Sequence, residues 1–278
     1  MGVVGLGTMG AGIAQVCVQA GVETVGREVS EELGAKARAM IGHYLGRGVE
    51  KGRLTENEVD AALARLTTTT DFAALAECDL VIEAIVEDLD EKRATFRELE
   101  AVVSADTVLA TNTSALSVGA IAEAVDRRNR VVGMHFFNPA PVLPLVEIVR
   151  AAETSEAAVE TCFAFAERIG KTPIRCGDTP GFVVNRILIP LLNDCVRVLD
   201  EAGVTPEDLD TAMTAGLNWP IGPCALIDLI GIDVHVHASE ALHGALGEAR
   251  MAPPQRLVEM LEAGHLGRKS GRGFFSYA

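Results

Sequence analysis

Short runs of consecutive apolar residues punctuate the first two thirds of the chain, and between them apolar positions recur every three to four residues. Val3-Val4, Thr24 to Val29, Leu80 to Val86 and Thr107 to Thr113 read as strands, and Thr172 to Gly177 as a short last one. Gly133 to Val149 reads as two further strand-like runs joined by a proline-broken loop. Ala11 to Ala20, Asp90 to Val103, Ser117 to Ala124 and a stretch from Ala151 to about Ile169 carry the helical period. Ser30 to Leu66 is also helical, with breaks near Gly46, Gly48 and Gly52, and predicts two helices in a hairpin that projects from the sheet. Strands alternating with helices predict a doubly wound, Rossmann-like α/β domain. The turn chemistry of Asp178 to Phe182 marks its end. From Val183 onward the pattern is helical only; one helix stops at Gly203, and the next starts with Thr205 as cap and Pro206 in its first turn. Two domains follow, 1–178 (hairpin at about 30–66) and an all-α domain at 179–278.

Two places break this pattern in a chemically informative way. The first is Gly5-x-Gly7-x-x-Gly10, which follows the first apolar run and opens a helix. The first glycine permits a tight turn, the second lets the backbone approach a pyrophosphate, and the third lets the helix pack on the strand; the helix N-terminus then faces the phosphates. Thr8 and Met9 lie within the same loop, and Glu28 ends the next strand. A carboxylate there accepts from the ribose hydroxyls of an adenosine and disfavours a 2′-phosphate, which points to NAD; the neighbouring Arg27 leaves attraction of a 2′-phosphate open. The second place is Gly133 to Val149, where His135 ends one apolar run and Glu147 sits inside the next. A charge in an apolar run is costly unless it is paired. The loop between can bring the two runs side by side, so a His135–Glu147 hydrogen bond is feasible. A histidine held by a carboxylate is suited to take a hydroxyl proton, whereas a lone one is more often a satisfied core residue.

Composition narrows the class. A net charge of −15 over 278 residues argues against nucleic acid as partner, because little in the chain neutralises phosphates in bulk. The six cysteines are scattered, without the spacing of a zinc or dithiol site, so no metal is expected and the thiols read as buried apolar side chains of a reducing compartment. No apolar run approaches the roughly 18 residues of a membrane span, and the opening MGVVGLG lacks a basic leader, so a cytoplasmic location without membrane association is expected.

Taken together, GLGTMGAGIA, LVIEAIVEDLDEK, ATNTSALS, GMHFFNPAPVLPLVEIV, GFVVNRILIP and LGRKSGRGF resemble the 3-hydroxyacyl-CoA dehydrogenase family over nearly the whole chain, and its short stand-alone 3-hydroxybutyryl-CoA dehydrogenases in particular. The resemblance implies a Rossmann-like domain bearing a helical hairpin and a helical domain through which subunits form a homodimer. It implies NAD-dependent interconversion of a 3-hydroxyacyl-CoA, short-chain as in 3-hydroxybutyryl-CoA and acetoacetyl-CoA, and the 3-ketoacyl-CoA. By position, His135 matches the base and Glu147 its carboxylate partner. Ser114 matches the serine that bonds substrate and nicotinamide, and Asn185 the asparagine near the substrate carbonyl. Glu87, Lys92, Asn138 and Lys269 match cofactor-contacting positions, and Lys51 the hairpin lysine on CoA. Asn112, at the end of the same strand as Ser114, is either a second cofactor contact or a turn former. Arg47 joins Lys51 as a basic residue on the hairpin of an acidic chain, suited to the CoA phosphates.

The chain departs from the family pattern in IGPCAL at Ile221 to Leu226, in Gly26 within the second strand, and in Tyr44, where relatives often have a small polar residue. His235, His237 and His243 share one helical stretch and read as surface or interface residues. GLGTMG also resembles the opening of 3-hydroxyisobutyrate-type dehydrogenases, but the lysine their chemistry needs is missing from GFVVNRIL. Two alternatives remain open at this level: the same chemistry on an acyl-carrier-protein-linked group, and a non-catalytic NAD-binding relative.

Overall fold

The computed structural model describes residues 1–277, which divide into two compact units, Met1–Phe182 and the described residues from Val183 onward. In the first unit, β1 (Gly2–Val4), α1 (Thr8–Gln19) and β2 (Thr24–Arg27) lead into α2 (Glu31–Glu50), α3 (Glu56–Ala64) and β3 (Leu66–Thr69). Then come β4 (Leu80–Glu83), α4 (Leu89–Val102), β5 (Val108–Thr111), α5 (Val118–Ala122), β6 (Val131–Phe136), β7 (Leu145–Arg150), α6 (Glu156–Arg168) and β8 (Thr172–Gly177). The strands form one sheet in the order β3-β2-β1-β4-β5-β6-β7-β8. Every pairing is parallel except β6 with β7.

The sheet is covered on both faces, and the period-2 alternation of its strands divides accordingly. Val3, Ile82, Ala110, Met134 and Ile148 pack with α1, the hairpin and α6, while Val4, Val81, Leu109, Val131 and Val149 pack with α4 and α5. His135 and Glu147 have the parity of the second set, so both point to the α4/α5 face.

Several boundaries differ from those predicted. The helix α2 runs through Gly46 and Gly48 and ends only at Lys51, with Gly52 in the left-handed region (φ +64°). Leu66 belongs not to the hairpin but to β3, a strand the apolar pattern did not reveal because LTTT has a single buried residue. β2 accommodates Gly26 because Leu6 lies where a side chain would be: an added Cβ would come within 2.8 Å of it. β4 stops at Glu83, three residues short of the apolar run.

The second unit contains α7 (Val184–Ala202), α8 (Pro206–Leu217), α9 (Pro223–Ile230), α10 (Ile232–Leu246) and α11 (Gln255–Glu262). Gly203 (φ +63°) ends α7, and Thr205 caps α8 by accepting from the Asp208 N–H. The tail is stapled to α9 by Asp228, whose carboxylate accepts from the N–H groups of Phe274 and Phe275 and from the Tyr277 hydroxyl. One reading fails here. His235 is not a surface residue: it is fully buried, and its Nε2 bonds Asn193 Oδ1 at 2.9 Å. With Ser239 and Leu242 it forms the stripe of α10 that turns inward. Burial lowers its pKa to about 4. No described helix is long and apolar enough to cross a membrane.

Candidate active site

The three glycines of the first loop differ in what surrounds them. Gly5 has φ +84°, and a Cβ on it would meet the Ala84 carbonyl at 2.8 Å. Gly10 touches the strand turn so closely that a Cβ would fall 1.8 Å from the Gly5 carbonyl oxygen. Gly7 faces open space, with nothing within 4 Å of where a Cβ would be. It is also the N-cap of α1, which has no side-chain cap and no acidic residue in its first turn. The N–H groups that such a helix end leaves unpaired are available to an anion. Thr8 is exposed beside this opening, and Met9 packs partly buried on the sheet core.

Glu28 is drawn to the same loop: its carboxylate accepts from the Leu6 N–H at 2.8 Å and from the Val29 N–H at 2.7 Å. Arg27 is engaged elsewhere, its guanidinium 4.0 Å above the Phe72 ring and its Nε donating to the Thr70 carbonyl. The loop therefore fits a dinucleotide whose adenosine hydroxyls meet a carboxylate.

His135 and Glu147 stand directly opposite each other in the antiparallel β6–β7 pair. Nδ1 of His135 lies 2.7 Å from Oε2 of Glu147. Glu147 is completely buried and His135 nearly so, its ring flanked by those of Phe137 and Phe182 at 4.6 and 5.6 Å. An ionised carboxylate can only accept, so the bonded Nδ1 carries a proton, and in the neutral ring that leaves the lone pair on Nε2. The geometry is that of a base held in one tautomer by a buried charge.

Ser114 is exposed just past β5, and its loop is held from below. Glu87 accepts from the Thr113 hydroxyl at 2.5 Å and from the N–H groups of Ser114 and Ala115 at 2.9 and 3.0 Å. Burial alone would raise the Glu87 pKa; Lys92, 3.4 Å away, and these three donors outweigh it and hold the carboxyl below its ordinary range. Lys92 is itself buried and pinned at 2.6 Å by Glu83, at the end of β4. Asn112 uses its side-chain oxygen to accept from the Phe136 N–H at 2.9 Å, tying the β5 end to the β6 end.

A groove of about 520 Å³ runs between α1, α2 and the β6–β7 loop. Thr8 and Asn138 line one part; Tyr44, Arg47, Lys51 and Arg53 line another. The loop is anchored by Lys171, whose ammonium donates to the carbonyls of Ala140 and Leu143. In the second unit, Asn185 lies in the first turn of α7, and Lys269 is ion-paired with Asp233 at 2.5 Å.

Sequence reasoning missed Glu83 and Arg53. Glu83 carried the very signal that drew attention to Glu147, a charge inside an apolar run (LVIEAIV). Arg53 had none: it lies past the helix end, and only the turn at Gly52 brings it to the groove.

Residues 1–179 match the family model of the 3-hydroxyacyl-CoA dehydrogenase NAD binding domain, and residues 181–277 that of the 3-hydroxyacyl-CoA dehydrogenase C-terminal domain. The chain is 46% identical to the 3-hydroxybutyryl-CoA dehydrogenase of Mycobacterium tuberculosis, covering 100% of this chain and 98% of that protein. It is 38% identical to the human mitochondrial hydroxyacyl-coenzyme A dehydrogenase over 99% of this chain and 90% of that one. Among solved structures, the (S)-3-hydroxybutyryl-CoA dehydrogenase of Ralstonia eutropha superposes with a TM-score of 0.96 at 40% identity, covering 100% of this chain and 98% of that one.

Proposed function

The chain belongs to the 3-hydroxyacyl-CoA dehydrogenase family, as an NAD-dependent oxidoreductase, and from that premise we propose that it interconverts short-chain 3-hydroxyacyl-CoA and 3-ketoacyl-CoA with His135 and Glu147 as its acid/base unit. The observation that carries the assignment of the base is the 2.7 Å hydrogen bond from Nδ1 to the buried Glu147 carboxylate. Bound NAD supplies the hydride acceptor. In the oxidative direction, Nε2 of His135 takes the proton of the 3-hydroxyl as the hydride leaves C3. Glu147 stabilises the imidazolium that results. Run in reverse, the imidazolium returns that proton to the ketone oxygen. Ser114 orients the substrate oxygen and the nicotinamide, and Asn185 polarises the substrate carbonyl. Glu28 selects NAD by accepting from the adenosine ribose, and the Gly5–Gly10 loop with Thr8 and Met9 receives the pyrophosphate. Glu87, Lys92, Asn112, Asn138 and Lys269 complete the cofactor site.

Short-chain substrates are favoured by the likeness to 3-hydroxybutyryl-CoA dehydrogenases, and CoA over a protein carrier by the Arg47, Lys51 and Arg53 cations beside one groove. The enzyme is a cytoplasmic homodimer joined through its helical domain. The apolar side chains of Ile187, Val198, Leu217 and Val234, exposed in that unit, support this, since such surface is normally covered. The domain boundary falls in the Asp178–Phe182 turn. The deciding experiment follows NADH oxidation with acetoacetyl-CoA, a longer 3-ketoacyl-CoA and a carrier-linked analogue side by side. Highest kcat/KM with acetoacetyl-CoA is expected, and turnover of only the carrier-linked compound would overturn the CoA assignment. Light scattering at micromolar concentration should give twice the chain mass; a monomer would overturn the dimer.

A further inference from the structure

Glu83 is fully buried at the C-terminal end of β4 and has no part in the proton transfer above. Its Oε1 accepts from Lys92 Nζ at 2.6 Å and from the Ile85 N–H at 2.7 Å, and its Oε2 accepts from the Thr111 hydroxyl at 2.8 Å. Lys92 also reaches Glu87, which holds the Thr113–Ala115 backbone. Two carboxylates and one ammonium therefore make a single connected cluster, and Lys92 is the one cation ion-paired to either carboxylate among the described residues. The cluster carries one surplus negative charge. Burying an extra carboxylate is costly, and a neutral partner for Lys92 would have satisfied the same hydrogen bonds.

The position of that surplus gives it a use. In a doubly wound sheet, the two mononucleotide halves of a dinucleotide lie on either side of the point where strand order reverses, here between β1 and β4. Glu28, at the end of β2, marks the adenosine side. The nicotinamide half then lies over the ends of β4 and β5, where Glu83, Lys92, Glu87 and Ser114 are. The oxidised nicotinamide ring carries a positive charge and the reduced ring none. We propose that Glu83 biases this site toward the oxidised cofactor, acting through space and through Lys92 and Glu87 as a positioning residue that never touches the substrate. The inference rests on the cofactor placement given under the proposed function.

Glu83→Gln tests it with little disturbance. The amide oxygen can replace Oε1 toward Lys92 and Ile85, and the amide nitrogen can replace Oε2 and donate to the Thr111 hydroxyl, so the hydrogen bonds persist while the charge goes. Dissociation constants for NAD⁺ and NADH are measured by calorimetry for the wild type, Glu83→Gln and Thr111→Val at one ionic strength. A unit charge acting over roughly 10–15 Å at an effective dielectric near 20 changes a binding ratio by about six- to sixteenfold, so Glu83→Gln should raise Kd(NAD⁺)/Kd(NADH) by about that much. Thr111→Val, which removes a hydrogen bond and no charge, should leave the ratio within about twofold on the same reasoning. An unchanged ratio in Glu83→Gln, or an equal shift in Thr111→Val, overturns the proposal. If Glu83→Gln does not fold, Glu87→Gln, which removes the half-exposed carboxylate, must shift the ratio the same way, and a constant ratio there overturns it equally. A wild-type protein that binds neither cofactor form would instead overturn the reading of the glycine loop, and this inference with it.

Discussion

Replacing Glu147 by glutamine removes a charge and leaves a hydrogen-bond acceptor in place, because the amide oxygen can still receive Nδ1–H of His135. The carboxylate and the ring are 2.7 Å apart, and both are shielded from water. Unit charges with centres roughly 4 Å apart at an effective dielectric of about 20 interact by about 4 kcal/mol, so a half-developed imidazolium in the transition state feels about 2 kcal/mol. A charge-assisted hydrogen bond adds about 1 kcal/mol over a neutral one. The sum, about 3 kcal/mol, corresponds to roughly a hundredfold loss in kcat. Removing the base itself in His135→Ala should cost about 10²- to 10⁴-fold. The assay is steady-state NADH oxidation with acetoacetyl-CoA, with NADH affinity followed separately by fluorescence; NADH binding should be nearly unchanged in both variants. The decisive sample is the double variant. If Glu147 works only through His135, adding Glu147→Gln to His135→Ala should cost little more, because a unit already broken cannot be broken again. Fully multiplicative losses would refute the pairing as a functional unit.

Three further outcomes follow from other parts of the molecule. With Glu28 against the Leu6 N–H and Arg27 engaged on Phe72, kcat/KM should strongly favour NADH over NADPH, and comparable efficiencies would refute the assignment of Glu28. Arg47→Ala combined with Lys51→Ala should raise KM for acetoacetyl-CoA several-fold and leave NADH affinity unchanged; an equal loss with a pantetheine-only substrate would contradict a phosphate contact. His235 is neutral when folded down to a pKa of about 4, from an ordinary value of 6.5. Below pH 6.5 the unfolded chain binds a proton that the folded chain refuses, so this stability is present above that pH and falls progressively toward pH 4, by about 3 kcal/mol in total. Urea unfolding at pH 7 and pH 4.5 measures the loss, and His235→Leu should flatten it; an equally steep loss in that variant would assign it to other groups.

What the linear chain determined by itself was local. Gly5, Gly7 and Gly10 announce a strand-to-helix turn because the tight path from β1 into α1 is local, Gly10 lying against the Gly5 carbonyl, and the capping chemistry of Gly203 and Thr205 sets helix ends in the same way. The His135–Glu147 pair was legible for a different reason: a charge in an apolar run demands a partner, and a short proline-broken loop limits where that partner can be. Tertiary structure decided whatever depends on which distant element lies alongside. β6 and β7 are antiparallel inside an otherwise parallel sheet, and that register is what sets His135 opposite Glu147. The threonines of β3 suit an extended strand, but with one buried residue the run carries no apolar pattern, and the edge offered by β2 fixes it in the sheet. His235 turns inward because Asn193 of α7, 42 residues earlier, supplies its hydrogen bond. The groove joins Thr8, Arg47 and Asn138, whose proximity comes from strand order and not from spacing. Hydrogen bonds and packing across such separations depend on how the whole sheet is wound, and no window of neighbouring residues contains that information.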